Sequence, residues 1–242
     1  MTSLNGGVLI IGSLLWDDAQ LRKEWRQSSL DLSGKQSVAA PIRYGRISES
    51  RHLTYTMVFS SSVPDHGIAQ AVPFRNSIKS FAELESQVQS LARAEKLKKK
   101  VTNPYFWKWG CVGILLNPVA DSKAELLTSI LENWPKKFGG FNNVDFCVNS
   151  EQRSIDKQGM LQIGWPTGLS WDFLLATVVK PEVSDNVYPD ADGIVAAMNN
   201  AACYNYFLNN KQHGISTFQD EDISARLKST KKLEFLERRA CA

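Results

Sequence analysis

Apolar positions open the chain almost without a break: Val8-Leu9-Ile10-Ile11 runs into Gly12-Ser13, and Leu14-Leu15-Trp16 resumes before Asp17-Asp18. The β-branched, unalternated start reads as a buried strand, and Gly12-Ser13 as a tight turn with no bulky side chain in the way. A small molecule can approach such a turn closely. Successive N–H groups there, backed by a helix starting near Asp17, form a concave donor site for a carboxylate or an oxyanion. An ordinary first strand and loop accounts for the same residues. Asp17 to Arg26 then has acids first and Arg22, Lys23 and Arg26 last, the charge order of a short helix. Ser37 to Ile47 and Leu53 to Phe59 alternate as paired strands, and Gly67 to Phe74 reads as a third.

The most informative helix begins at Ser80, which forms a capping-box pattern with Glu83. Phe81, Leu84, Val88 and Leu91 recur at spacings of three and four and line one face, and the next position on that stripe is Glu95. A carboxylate where the pattern calls for an apolar residue is either a side chain reaching water at a frayed end or a partly buried acid. If buried, its pKa rises by desolvation and it can take and return a proton near neutrality. The blander account is that Leu97 takes over the apolar face while Glu95 pairs with Lys99 at i+4. Glu83 and Glu85 are the fallback acids, with capping and solvation as their simpler explanations.

Further along, Tyr105 to Leu116 reads as a core strand entered through an aromatic cluster. Ser122 and Glu125 cap a helix through Leu126, Leu127, Ile130, Leu131 and Trp134 that Pro135 ends. Short strands are expected at Val144 to Val148, Met160 to Trp165 and Phe173 to Val179. From Asp190 the chain turns helical, with Ile194, Ala197, Met198 and Ala201 on one face and an amphipathic helix from Asp220 to Arg239. Tyr204 to Phe207 and His213 to Asp220 are rich in hydrogen-bonding groups, which suits either a site wall or a connection between helices. Strands dominate the first half and helices close the chain, so the expected fold class is α+β with a mixed, barrel-like sheet and a helical C-terminal layer. No repeat, low-complexity tract or long linker divides residues 1–242, so a single domain is expected.

Composition narrows the function classes. The chain has 242 residues, 43% of them hydrophobic and 22% charged, with a net charge of +3, which fits an ordinary globular protein. No Lys or Arg precedes Arg22 and no small-residue cleavage site follows the apolar start, so a cytoplasmic protein without a signal peptide is expected. Four dispersed cysteines, Cys111, Cys147, Cys203 and Cys241, read as reduced thiols, and with His52, His66 and His213 equally scattered no metal site is expected. The basic run Lys96 to Lys100 reads as the cationic end of a helix. Together with Trp107 to Trp109 it also allows single-stranded nucleic-acid binding, which the modest net charge disfavours. No G-x-G-x-x-G, G-x-x-x-x-G-K-S/T or G-x-S-x-G motif occurs, against the common nucleotide-binding and serine-hydrolase classes.

The buried strand, then Gly12-Ser13-Leu14, then Trp16 resembles the Y-G-S-L segment of the gamma-glutamylcyclotransferase-like superfamily, with Ile11 in the place of Tyr. Leu91-Ala92-Arg93-Ala94-Glu95 is similar to that family's L-D-E-R-E segment, keeping the Leu and the Glu and lacking the acids between. The resemblance covers about the first 120 residues and implies a small mixed barrel with no cofactor. It implies substrate-binding amides in the segment Ile11, Gly12, Ser13, Leu14 and Leu15 and a catalytic Glu95. The implied reaction cyclises a gamma-glutamyl group to 5-oxoproline and releases an amine or amino acid. The substituted Ile11 and the thinned acids around Glu95 favour an alternative, a catalytically inactive small-molecule-binding or protein-interaction module on the same fold. The two are told apart by whether Glu95 faces a pocket floored by Gly12 to Leu14.

Overall fold

A computed structural model describes residues 3–97, 106–119, 124–140 and 142–229. Its centre is β1 (Gly6–Ile10), every residue of which is buried. β1 pairs antiparallel with β5 (Gly67–Pro73) and parallel with β8 (Phe173–Val179). β2 (Gln36–Ala40) lies outside β5, while β7 (Gly110–Leu116) and β6 (Phe106–Trp107) continue beyond β8. The result is a six-stranded mixed sheet in the order β2-β5-β1-β8-β7-β6. A strand buried on both faces needs apolar residues at successive positions, as in Val8-Leu9-Ile10 and Phe173-Leu174-Leu175-Ala176.

The stretch expected as one strand from Ser37 to Ile47 is two strands in two sheets. Pro41 has no N–H to donate to a ladder, and the chain changes sheet there. β3 (Ile42–Ser48) pairs instead with β4 (Thr54–Phe59) in a separate two-stranded ribbon, with a register shift between Tyr44 and Arg46. The ribbon packs against β5 and β8.

Helices cover the sheet. α1 (Gln20–Ser29) packs on α2 (Phe81–Ala94), which lies over β7 and β8 beside α3 (Ala124–Phe138). α4 (Ala191–Ala201) lies on β4 and α6 (Asp220–Ser229), and α5 (Asn205–Gln212) meets the turn after β1. The capping of α2 follows the sequence: Ser80 Oγ accepts from Glu83 N–H at 3.2 Å. Leu84, Val88 and Leu91 are fully buried on the expected stripe.

Three expectations fail for local reasons. Pro135 does not end α3, which runs on to Phe138. The carbonyl that its missing N–H frees belongs to Leu131, on an exposed turn where water can serve it. Val144 to Val148 forms turns rather than a strand, with Val148 N–H donating to Glu151 Oε1 at 2.8 Å. Met160 to Trp165 also lacks a ladder and makes only single bridges, Met160 to Ile114 and Leu161 to Ile155. Tyr105, Ser122, Lys98 to Lys100 and the tail from residue 230 to Arg239 and Cys241 lie outside the described residues. Among the described residues no helix is long and apolar enough to cross a membrane.

Candidate active site

The C-terminal end of β1 opens into a cleft of about 1300 Å³. Past Ile10 the backbone makes a 3-10 turn over Ser13–Leu15, closed by Leu15 N–H to Gly12 C=O and Trp16 N–H to Ser13 C=O. The first N–H groups of such a turn have no partner within it. Those of Ser13 and Leu14 find no acceptor among the described residues. Gly12 is required by a close approach rather than by an unusual φ: a Cβ there would sit 2.5 Å from the Tyr206 hydroxyl. Ile11, Gly12, Ser13 and Leu14 all line the cleft. Leu15 does not; it is buried in the core.

Glu95 reaches the same cleft from the end of α2. A Schellman termination puts it there: Lys96 adopts a left-handed φ of 55°, Lys96 N–H bonds to Arg93 C=O, and Leu97 N–H reaches Ala92 C=O at 2.8 Å. Leu97 tucks into the core behind it. Glu95 itself is the cap residue, its side chain only 10% exposed. Burial pushes its pKa above the ordinary carboxylate value, and the neighbouring Arg22 only partly offsets that rise.

Arg22, on α1, joins the two halves of the site. Its Nη1 donates to Ser13 Oγ at 2.8 Å and to Asp17 Oδ2 at 2.7 Å, and its Nη2 donates to Glu95 Oε2 at 2.5 Å. Among the described residues the hydrogen bond from Arg22 is made to Oε2, and Oε1 accepts none. Asp17 also pairs with Arg51 at 3.6 Å and accepts from Ala19 N–H at 2.9 Å. Burial pushes the Asp17 carboxyl up, but the Ala19 amide and the two guanidinium groups outweigh it, so its pKa is lowered and it stays ionised. Arg51 lies over the rings of Trp16, at 5.3 Å, and Tyr206, at 4.8 Å.

The turn is anchored from behind. Arg26 Nη1 donates to the carbonyls of Leu14, at 2.9 Å, and Asp17, at 2.7 Å. Trp16 Nε1 donates to Asn210 Oδ1 at 2.7 Å, and the Tyr206 hydroxyl accepts from Met57 N–H at 3.2 Å. Helix α5 therefore fixes Tyr206, which lines the same cleft as Glu95.

Glu83 and Glu85 take no part in the cleft. Glu83 accepts from Lys79 N–H at 2.8 Å, and Glu85 pairs with Lys137 at 2.9 Å. The segment from His213 to Asp220 packs elsewhere, so of the two polar stretches only the one holding Tyr206 reaches the site. Tyr206 belongs to the polar stretch that the sequence offers as a site wall, whereas nothing in the sequence marks Arg22 or Arg51 as site residues. Arg22 and Glu95 are 73 positions apart, and nothing local links them. Among the described residues no group of three or more His, Cys, Asp or Glu is placed to hold a metal ion. Comparisons of the chain with models of known protein families, with curated proteins and with solved structures return no match.

Proposed function

We propose that this protein is a gamma-glutamylcyclotransferase-like enzyme, which cyclises a gamma-glutamyl group to 5-oxoproline and releases an amine or amino acid. The observation that carries this reading is the convergence of the buried Glu95 carboxyl and the unpaired amides of Ser13 and Leu14 on one cleft. The contact of the β3–β4 ribbon with β5 and β8 supports a barrel-like closure of the sheet, as the reading requires. A cytoplasmic location with a small-molecule substrate, and without nucleic-acid or membrane partners, belongs to the same proposal.

The chemistry asks little of covalent catalysis. The substrate's own α-amine is tethered to the γ-carbonyl it attacks, and holding the two in contact is worth several kcal/mol. Glu95 Oε1 takes a proton from the attacking nitrogen while the new C–N bond forms. The same carboxyl hands it to the departing nitrogen as the old C–N bond breaks. Overall the attacking nitrogen gives up two protons and the departing one, released as an ammonium, gains two, so no external acid, base or redox partner is consumed. A carboxylate whose pKa is raised by burial is a stronger base than one in water, which suits the shuttle. The Ser13 and Leu14 amides would steady the oxyanion on the γ-carbonyl or hold the substrate carboxylate.

The binding-module reading retains one specific support: Arg22 holds Glu95 in a short ion pair, which favours the ionised form over proton exchange. Release of 5-oxoproline from a panel of gamma-glutamyl amino acids, gamma-glutamyl amines and glutathione separates the two. The cyclotransferase reading expects turnover of at least one compound; binding without any release leaves the module.

A further inference from the structure

Two carboxylates stand around the same pair of guanidinium groups. Arg22 donates through Nη1 to Asp17 Oδ2 at 2.7 Å and through Nη2 to Glu95 Oε2 at 2.5 Å. Arg51, from the 3-10 turn Glu49–Arg51 that follows β3, meets Asp17 Oδ2 at 3.6 Å and also acts on Glu95. Each cation is held from another side as well: Arg22 by Ser13 Oγ at 2.8 Å, Arg51 by the Trp16 and Tyr206 rings. Among the other titratable groups of the cleft, Lys96 follows Glu95 in the chain, Glu49 acts on Arg46, and burial keeps the Tyr206 hydroxyl protonated. Lys108, Asp145, Lys180 and Glu182 stand on the turn before β7 and on the loops around β8.

The two carboxylates are not equivalent. Asp17 is 27% exposed and is satisfied from three sides, by Arg22, by Arg51 and by Ala19 N–H at 2.9 Å. Glu95 is 10% exposed and, among the described residues, accepts a hydrogen bond from Arg22 alone. A proton entering the cluster therefore goes to Glu95, the pattern of two carboxylates driven apart by their surroundings. Without the Asp17 charge, both guanidinium groups would act on Glu95 undivided and hold it as the ion. Asp17 thus bears on the ion pair that favours the binding module, because Arg22 does not belong to Glu95 alone.

We propose that Asp17 is a positioning residue for the reaction: it holds Arg22 between the Gly12-Ser13 turn and Glu95, and takes up part of the positive charge that would otherwise lock Glu95 as the ion. That role rests on the cyclotransferase reading, while the sharing of Arg22 between the two carboxylates does not depend on it.

The test is a carbon-13 NMR titration of the Glu95 carboxyl in the full chain, its resonance assigned by its loss in Glu95→Gln, alongside 5-oxoproline release from the gamma-glutamyl panel. Asp17→Asn keeps the size of the side chain and an acceptor for Ala19 N–H, and removes the charge. The expected result is a Glu95 midpoint moved to lower pH in Asp17→Asn and to higher pH in Arg22→Gln. Added to Arg22→Gln, Asp17→Asn should move the midpoint less than it does in the parent, because its effect passes through Arg22. Release by Asp17→Asn should fall through kcat rather than KM, since a weaker base takes the proton less readily. A midpoint unmoved in folded Asp17→Asn, or moved equally with and without Arg22, overturns the role of Asp17 and leaves the cyclotransferase reading standing. The expected midpoints with no 5-oxoproline from any compound uphold the sharing of Arg22 and overturn that reading. If Asp17→Asn does not fold, Asp17→Ser, which still offers Ala19 N–H an acceptor, repeats the titration. Failure of both to fold makes Asp17 a structural residue and overturns the proposal.

Discussion

At the scale of single residues the site is organised by Arg22, whose two terminal nitrogens hold the glycine-serine turn and the Glu95 carboxylate in one frame. Gly12 matters because of Tyr206. Gly12→Ala puts a methyl group 2.5 Å from the Tyr206 hydroxyl, and one of the two must move. A loss of about 1–3 kcal/mol is expected, as for an overpacked core position. Denaturant unfolding of Gly12→Ala, Tyr206→Phe and the double variant checks the cause: the double variant should be less destabilised than the sum of the singles. Strict additivity would show that the two groups do not meet. The stripe Phe81-Leu84-Val88-Leu91 draws attention to Glu95 but leaves open whether it reaches water or is buried; in the structure Leu97 takes the apolar position and Glu95, at the helix cap, is buried as well. Nothing of the kind marks Arg22. It read as one of three cations completing a helix, and only the packing of α1 on α2 reveals which acid it serves.

At the scale of elements, α2 and the turn after β1 matter most, because they bring Glu95 and Gly12-Ser13 to the same cleft. Lys96 occupies the left-handed position of the α2 termination, where a Cβ costs energy that glycine does not pay. Lys96→Gly is therefore expected to stabilise the fold by about 0.5–1 kcal/mol, offset in part by glycine's greater freedom in the unfolded chain. Chemical denaturation measures this; destabilisation would mean that the Lys96 side chain contributes contacts of its own. Ser80, the apolar stripe of α2 and the runs of β1 and β8 were all readable, since each follows from local capping or periodicity. The failures share another cause. Val144 to Val148 and Met160 to Trp165 have strand composition but form no ladder, the second pairing with β7 only at the bridge from Met160 to Ile114, and pairing is a property of the partner as much as of the segment. The Pro41 switch between sheets shows the same limit, because alternation continues across it while the ladder does not.

At the scale of the whole molecule, sheet order is what the sequence left hidden. β8 enters between β1 and β7 from more than fifty residues downstream of β7, and that insertion brings Thr177 and Lys180 to the cleft that β1 and α2 begin. The ionisation of the interior also acts at this scale. Asp220, at the start of α6, is 7% exposed, and burial raises its pKa from 3.8 to about 6 against the hydrogen bonds it accepts from Thr217. A carboxyl that holds its proton more tightly when folded makes the folded state the larger proton binder between these values. Stability therefore falls as pH rises from about 4 to about 6 and levels off above, by on the order of 2 kcal/mol. Glu95, raised in the same direction, adds to that slope. Unfolding free energies measured across this range should show the decline in the parent and a flatter profile in Asp220→Asn. A parallel profile in the variant would assign the slope to other groups.

The central claim is that the Glu95 carboxylate carries the proton during cyclisation. Its most direct test is the rate of 5-oxoproline release from the best gamma-glutamyl substrate, for the parent chain and Glu95→Gln side by side, with thermal unfolding recorded for both. The account expects an intact fold and a rate lowered by about 10²–10⁴-fold, the range for loss of a general acid–base. A folded Glu95→Gln variant that releases 5-oxoproline as fast as the parent would contradict it.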